Sequence, residues 1–504
     1  MDPLHVEYPV TTTKQNRLIS LIVKQQFGNS ASQIASYLCQ KGGSTLADLI
    51  SEFKLLHVRK ILVRLLNHQC ILYSRTTPIV YKCHSSVILK RIRFPLYMEV
   101  MDDLYGKEAV DIFQAFCENG SFTGCGKIWD SLVLHHFVIA LEHRYFDDKQ
   151  HEIDNATSHL TFLSTPKDKL NALSLYEPPK KKMKTSLIYQ LNFSRFDVEL
   201  RNNAILKSIT LNRQTSLVLK AILDVSASHL KNCYSFGGGC TPDHISKKIT
   251  PDESKIYDAI HSNSFSHEDK ILAYFDILTF HGFLYKSQFG QTSKEPILST
   301  KVISSQSSEL NDQFYVAYRH LVSTLQQSII ENSIRSRLGN KAVRVYKAMQ
   351  KLKNADEKMI MNEAMLPSSE TRQILFALSM SSGMATYGGN EGGIVGGYAL
   401  FDIIPIYKSS ERSSLRGHYL YSLKSCEQLN KDLLDSLYQF EYNLLARLLE
   451  EERKHRIIEL RLNRGEIELG EHAHKSHLNF QSIRKRLWDS ICLTDLLVAT
   501  FRDY

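Results

Sequence analysis

Residues 62–73, LVRLLNHQCILY, decide the fold class, because a leucine-rich helix ends there at a polar turn and a short apolar strand follows. Apolar residues recur first with a period of about 3.6, as in a helix, and then with a period of about 2, as in a strand. Comparable passages occur at residues 137–146, 274–285 and 375–387. A helix that leads through a tight turn into a strand is typical of a winged-helix module, so four copies predict a series of such modules.

The segments between these passages set the expected domain organisation. The fold is predicted to be mainly α-helical with small β-wings: four tandem winged-helix modules followed by a C-terminal antiparallel helical hairpin. The uneven spacing of the copies favours variable linkers over a stacked solenoid. The expected ranges are 14–98, 99–147, 187–290 and 308–424 for the modules, 148–186 for a basic flexible linker, and 425–504 for a coiled-coil-like hairpin. The fourth module is expected to have an extended wing that is glycine-rich at 388–397.

The bulk composition excludes several classes of protein. The chain has 504 residues, of which 43% are hydrophobic and 23% charged, as in globular proteins. No apolar run approaches the roughly 20 residues that span a bilayer, so no membrane partner is expected. The N-terminus lacks the pattern of a secretory signal, and the nine cysteines lack paired spacing, which fits free thiols in a reducing compartment.

Positive charge is concentrated in the first module. Residues 53–98 include nine Lys or Arg and no Asp or Glu, an excess equal to the net charge of +9 for the whole chain. On a helix over 54–68, apolar side chains share one face and basic or polar ones share the opposite face. Cations so placed suit a helix seated in the major groove of DNA. The expected DNA-binding residues are His57, Lys60, Arg64 and, on the wing, Arg75 and Lys82. A solvated basic helix surface is the alternative.

The later helices of this kind carry neutral or aromatic residues, such as Leu278, Thr279 and Phe280, or Leu375, Phe376 and Leu378. Such helices are typical of protein-binding modules. Contact with nucleic acid is therefore expected from the first module and, through its long loop, from the fourth.

Two further segments predict interactions. Lys180, Lys181, Lys182 and Lys184 follow two prolines and resemble a nuclear localisation signal, although short basic runs also occur by chance. The C-terminal hairpin is expected to dock on a partner, because a protruding hairpin buries little of its own surface. The candidate docking residues are Leu437, Phe440, Leu444, Leu448, Ile483, Leu487 and Ile491.

No constellation of catalytic residues stands out, and neither a metal nor a cofactor is expected. The glycines at 388–397 lack the Lys-Ser/Thr of a phosphate-binding loop. His472, His474 and His477 lie close in sequence, but no second cluster of ligands accompanies them, so an exposed helix start is favoured over a metal site. The chain is expected not to be an enzyme.

Several segments together resemble one known family. They are LLNH (65–68), IVYKC (79–83), ILKRIRFPLY (88–97), IY (188–189), NFSRF (192–196), RLGNKAVRVY (337–346) and MLP (365–367). Their order is similar to that of the third-largest, winged-helix subunit of eukaryotic RNA polymerase III, from about residue 17 to the C-terminus. The glycine-rich stretch at 388–397 departs from the family.

The resemblance implies a subunit that is related to the alpha subunit of TFIIE and that forms a peripheral heterotrimer with two smaller polymerase III-specific subunits. It implies that the subunit sits on the clamp of the polymerase core, anchored in part by the hairpin. The implied role is to link the polymerase to promoter-bound TFIIIB and to help open promoter DNA, in synthesis of transfer RNA, 5S ribosomal RNA and other small RNAs. The active site would lie in other subunits, and the protein would be nuclear.

Two other functions fit the same residues. The chain could act as a free-standing winged-helix DNA-binding transcription regulator that uses the first module. It could also be a winged-helix scaffold in an unrelated assembly, such as a ubiquitin ligase or a trafficking complex. Co-purification with a multisubunit polymerase distinguishes the subunit from both.

Overall fold

The computed structural model confirms a mainly α-helical fold with small strand pairs. It describes residues 13–53, 57–74, 78–121, 124, 126–140, 145–146, 189–209, 211–228, 230–233, 239–249, 267–286, 313–379, 401–405, 419–463 and 471–504. The chain divides into two compact units, one formed by Met1–Phe193 and Glu441–Cys492, the other by Ser194–Phe440 and Leu493–Tyr504. In the described part of the chain no helix is long and apolar enough to cross a membrane.

The first unit begins with a winged helix. Its elements are α1 (Thr13–Phe27), α2 (Asn29–Lys41), β1 (Ser44–Thr45), α3 (Leu46–Phe53), α4 (Val58–Asn67), β2 (Ile71–Ser74) and β3 (Val80–Cys83). The strands β2 and β3 form an antiparallel wing, and β1 pairs with the other edge of β3. Leu18, Ile34 and Leu62 are buried in its core. The helix α4 is amphipathic, because its leucines recur at helical spacing on the side that packs inward.

The second wing differs from the expected one. The next elements are α5 (Ser85–Lys90), a 3-10 turn (Arg91–Arg93), α6 (Phe94–Tyr105), α7 (Lys107–Asn119), α8 (Lys127–Leu134), β4 (Val138–Ala140), β5 (Tyr145–Phe146) and β6 (Tyr189–Leu191). The strand β4 pairs antiparallel with β6, whereas β5 pairs parallel with β2 of the first module. The expected module start at 187 therefore falls at this wing, and the expected boundary between 98 and 99 falls inside α6.

The second unit contains a further winged helix. It consists of α9 (Phe193–Ser208, with Phe193 in the first unit), α10 (Arg213–Ala227), α11 (Pro242–Lys248), α12 (His267–Phe280), β7 (Leu284–Lys286) and β8 (Phe314–Val316). The antiparallel pair of β7 and β8 closes this wing. The range 308–424 expected for the fourth module therefore begins too early. Its first strand, β8, pairs with β7 and so belongs to the wing of the third module. The sequence does not reveal this pairing, because β7 and β8 are far apart along the chain.

The next elements of the second unit are α13 (Tyr318–Leu338), α14 (Asn340–Leu352), β9 (Asn354–Asp356), α15 (Glu357–Ala364), α16 (Ser368–Ser379), β10 (Phe401–Pro405) and β11 (Tyr419–Leu423). The sheet has the order β10-β11-β9. Its core includes Tyr346, Met349 and Leu375, against which Leu433 from the following helix packs. The glycine-rich stretch at 388–397 lies outside the described residues.

Two long helices, α17 (Cys426–Asn463) and α18 (Glu471–Arg502), form the C-terminal hairpin. Their antiparallel course follows from two contacts: Arg484 approaches Glu452 at 3.6 Å, and the ring of His455 stacks on Phe480 at 4.5 Å. The first turns of α17 belong to the second unit and the rest of α17 to the first.

The turns that follow α4, α8 and α12 share one backbone motif. After α4, the N–H of Cys70 donates to the carbonyl oxygen of Leu65 at 2.9 Å, and the N–H of Gln69 donates to that of Leu66 at 3.0 Å. Gln69 has a left-handed φ of 61°. This pair of bonds is a Schellman motif, which satisfies the last carbonyl groups of a helix and turns the chain sharply toward the strand.

The helices α8 and α12 end in the same way. The corresponding donors and acceptors are Phe137 to Leu132 and His136 to Val133 after α8, and Phe283 to Leu278 and Gly282 to Thr279 after α12. His136 and Gly282 occupy the left-handed position. The helices α4, α8 and α12 can therefore be aligned residue by residue from their ends. The turn of the fourth passage, after α16, lies outside the described residues.

Candidate nucleic-acid interface

The outer face of α4 presents the predicted DNA-binding residues to solvent. His57, Lys60 and Arg64 are exposed, whereas Val58 and Leu62 on the opposite face are buried. Lys60 and Arg64 lie one helical turn apart and therefore on the same side. The structure thus brings three of the five predicted residues to one surface.

The two residues predicted on the wing add less to this surface. Lys82 lies on β3 opposite Leu72, is half-buried and has a partner within the chain. Arg75 falls outside the described residues. The surface is therefore defined by α4 itself.

In the part of the chain that the structure describes, Lys60 and Arg64 of α4 are not neutralised by acidic side chains. Among the described residues no acidic side chain forms an ion pair with Lys60 or Arg64. The basic helix α14 of the second unit is different. It pairs Lys341 with Glu370 at 2.8 Å, Lys347 with Glu331 at 3.0 Å and Lys351 with Glu363 at 2.7 Å. Such exposed pairs contribute little stability, but they remove positive charge that would attract a phosphate.

A shallow cleft lies beside these cations. It has a volume of about 150 Å³ and is lined by Phe27, Ala31, Lys60, Ile61, Arg64 and Leu65. The Cζ atom of Arg64 lies 5.7 Å from the ring centroid of Phe27, within the range of a cation–π interaction. The cleft therefore has an apolar floor with two cations beside it.

Three of the nine basic residues counted between 53 and 98 do not contribute to this surface. Lys90, Arg91 and Arg93 are buried. Arg91, which is only 6% exposed, donates hydrogen bonds to the side-chain oxygen of Gln26 and to the carbonyl oxygen of His68. Burial lowers the pKa of the Arg91 guanidinium. The number of basic residues in the acid-free stretch therefore overstates the positive charge at the surface, because three of these side chains lie in the interior.

The aligned helices show how the α4 surface differs from its counterparts. The positions of Lys60, Arg64 and Asn67 correspond to Lys127, Ser131 and Leu134 in α8, and to Ala273, Ile277 and Phe280 in α12. Leu134 is 71% exposed and Phe280 88%. On α16, Phe376 is also exposed. The position of Asn67 is therefore an exposed apolar residue in both later helices. The two basic positions are replaced by Ala273 and the exposed Ile277 in α12, whereas α8 retains a lysine, Lys127, at the first of them.

The predicted hairpin residues fall into two groups. Leu448, Leu487 and Ile491 are buried within the chain, so a partner cannot reach them while the hairpin is folded. The predicted contact of these three residues with a partner is therefore wrong. The apolar faces of amphipathic helices pack against other residues of the same chain, and these side chains lie on such faces. Leu437, Phe440, Leu444 and Ile483 are half-buried.

The remaining predictions of site residues concern the linker and a histidine cluster. Lys180, Lys181, Lys182 and Lys184 lie outside the described residues. No cluster of three or more His, Cys, Asp or Glu side chains in the described part of the chain could hold a metal ion. The side chain of His472 lies outside that part, whereas His477 contacts Gln481 at 2.8 Å.

Comparison with known proteins identifies related chains. A model of the helix-turn-helix domain of RNA polymerase III subunit RPC82 matches residues 17–76, and a model of the C-terminal winged-helix domain of POLR3C matches residues 330–386. The DNA-directed RNA polymerase III subunit RPC3 of Danio rerio is 20% identical over 508 residues, which cover 88% of this chain and 86% of the relative. Its counterpart in Mus musculus is 19% identical and covers 86% and 84%. These matches confirm the resemblance seen in the sequence: over most of its length the chain is similar to the subunit RPC3 of RNA polymerase III.

Proposed function

We propose that the chain is a non-catalytic subunit of a nuclear RNA polymerase III. The observation that carries this proposal is the similarity to RPC3 subunits over more than four fifths of the chain. In this role it forms a peripheral heterotrimer with two smaller polymerase III-specific subunits on the clamp of the core. It links the polymerase to promoter-bound TFIIIB and assists promoter opening in transcription of transfer RNA, 5S ribosomal RNA and other small RNAs.

Within that role, the first module contacts promoter DNA through α4. The support is that Lys60 and Arg64 are exposed on one side of the helix and form no ion pair among the described residues, unlike the lysines of α14. Free cations release counterions from DNA when they bind phosphates, so they supply affinity that depends on salt. The exposed His57 lies at the start of the same helix.

The other modules dock on proteins. The support is that α8 and α12 expose Leu134 and Phe280 at the positions where α4 has polar residues, and that α16 exposes Phe376. Large exposed apolar side chains suit protein contact better than contact with a phosphate backbone. The chain is thereby a scaffold with one DNA-binding face.

Affinity purification tests the subunit assignment. A tagged chain expressed in its own cells should co-purify with the large polymerase subunits and with TFIIIB at promoters. A monomer or homodimer without polymerase would favour a free-standing transcription regulator, and another assembly would favour a scaffold unrelated to transcription.

Replacing Lys60 and Arg64 together with Glu tests the DNA contact. The double variant should assemble with polymerase normally but bind and open promoter DNA less well. Wild-type crosslinking to DNA and wild-type transcription would show that this face serves another purpose.

A further inference from the structure

A continuous series of cation–π contacts runs from the α4 surface to the interior, through Arg64, Phe27, Arg91 and Phe94. The Cζ atom of Arg64 lies 5.7 Å from the ring centroid of Phe27, that of Arg91 lies 5.0 Å from the same ring, and that of Arg91 lies 4.7 Å from Phe94. Phe94 in turn stacks on Phe193 at 5.5 Å. Arg64 at the outer end of this series is exposed, Phe27 and Phe94 are half-buried, and Arg91 and Phe193 are buried.

The ring of Phe27 is held in place from its inner side. Arg91 is fixed by its hydrogen bonds to Gln26 and to the carbonyl oxygen of His68, and the His68 ring lies 5.0 Å from Phe27. Phe27 is also the last residue of α1, whose end is closed by a hydrogen bond from the N–H of Gly28 to the carbonyl oxygen of Lys24 at 3.1 Å. The ring is therefore a fixed surface against which an arginine can rest.

We infer that Phe27 positions Arg64 for a backbone phosphate of DNA, which binds at the mouth of the cleft between Arg64 and Lys60. This inference rests on the proposed DNA-binding function of α4. A flexible arginine loses conformational entropy when it binds, and contact with a ring reduces that loss by ordering the guanidinium beforehand. Lys60 has no such platform among the described residues, so Arg64 contributes more of the affinity.

The lining of the cleft favours a phosphate over a base edge. The side chains of Phe27, Ala31, Ile61 and Leu65 carry no hydrogen-bond donor or acceptor that could distinguish one base from another. The two cations supply charge, which attracts phosphates of any sequence. The contribution of Phe27 and Arg64 should accordingly be the same on duplexes of different sequence.

A double-mutant cycle on the full chain tests this positioning role. Binding to a fluorescent duplex of about 30 base pairs is measured by anisotropy for wild type, Phe27→Leu, Arg64→Ala and the double variant. Phe27→Leu should weaken binding about three-fold when Arg64 is present, from the usual strength of a cation–π contact at an exposed site. It should have no effect in the Arg64→Ala background. Equal losses in both backgrounds, or no loss in either, would overturn the inference.

Two controls separate positioning from folding and phosphate from base contact. Phe27→Tyr retains the ring and should bind within two-fold of wild type, with an unchanged melting temperature. A duplex with methylphosphonate linkages should reduce the difference between wild type and Arg64→Ala, whereas scrambling its sequence should not. A difference that depends on sequence would instead indicate base contact. If the Lys60→Glu/Arg64→Glu variant binds duplex as wild type does, the proposed function of α4 fails, whatever the cycle shows.

Discussion

Gly120 lies against the carbonyl group of Asn67, so close that a Cβ atom on the glycine would stand 2.5 Å from the Asn67 oxygen. Gly120 ends α7, and Asn67 is the last residue of α4. The glycine also has a left-handed φ of 78°. The end of α4 is therefore held against the end of α7, through a contact that only glycine permits.

Gly120→Ala should lower the free energy of unfolding of the first unit by about 2 kcal/mol or more, because the new methyl group meets backbone that cannot move aside. Thermal melting of the full chain would measure the loss. Gly42→Ala is the matched control, since Gly42 also ends a helix at a φ of 79° but has open space around its Cβ position. A similar loss for both variants would assign the effect to backbone strain alone.

Gly282→Ala should lower the free energy of unfolding of the second unit by about 1 kcal/mol, since it places a Cβ on a left-handed residue. Space is not the obstacle, because the nearest atoms, on the His320 ring, would be 3.5 Å away. Gly282→Asn should cost less, because asparagine tolerates this conformation. Urea unfolding compares the two, and an unchanged midpoint for alanine would contradict the assignment of the motif.

The sequence was sufficient to predict the helix-to-strand passages at 62–73 and 274–285 because each is local. The passage predicted at 137–146 was wrong, because Val138–Ala140, expected in its helix, forms the strand β4 after a helix that ends at Leu134. Apolar periodicity changes at the Schellman turn, within a few residues of His68, His135 and His281. The amphipathic character of α4 is equally local, so the exposure of Lys60 and Arg64 followed from spacing alone.

The partners of the strands were not predictable in the same way. The pairings of β4 with β6 and of β7 with β8 join strands that are far apart in the sequence, and no local pattern marks the second strand of each wing. The number of basic residues in the first module likewise did not show which of them lie at the surface. Arg91 and Arg93 resemble surface cations in sequence, but both are buried, and Arg91 contacts the rings of Phe27 and Phe94.

Phe280→Ser should leave the free energy of unfolding within about 0.5 kcal/mol of wild type, because the ring is largely in solvent. It should nevertheless weaken assembly with the partner subunits if α12 is a docking surface. Phe283→Ala, three residues further along and buried, should instead cost about 3 kcal/mol. Chemical unfolding and co-purification of the heterotrimer report the two effects separately. Normal assembly of Phe280→Ser would remove α12 from the interface.

Lys60→Gln/Arg64→Gln should make the salt dependence of duplex binding shallower, by about two in the slope of log K against log salt concentration, one for each lost phosphate contact. Its matched control is Lys341→Gln/Lys347→Gln, which removes the same charge from α14. Because those lysines are paired with Glu370 and Glu331, their loss should leave the slope unchanged. Anisotropy titrations from low to moderate salt measure both slopes. Equal changes for the two variants would mean that DNA binding depends only on the net charge of the chain, and that Lys60 and Arg64 have no specific role in it.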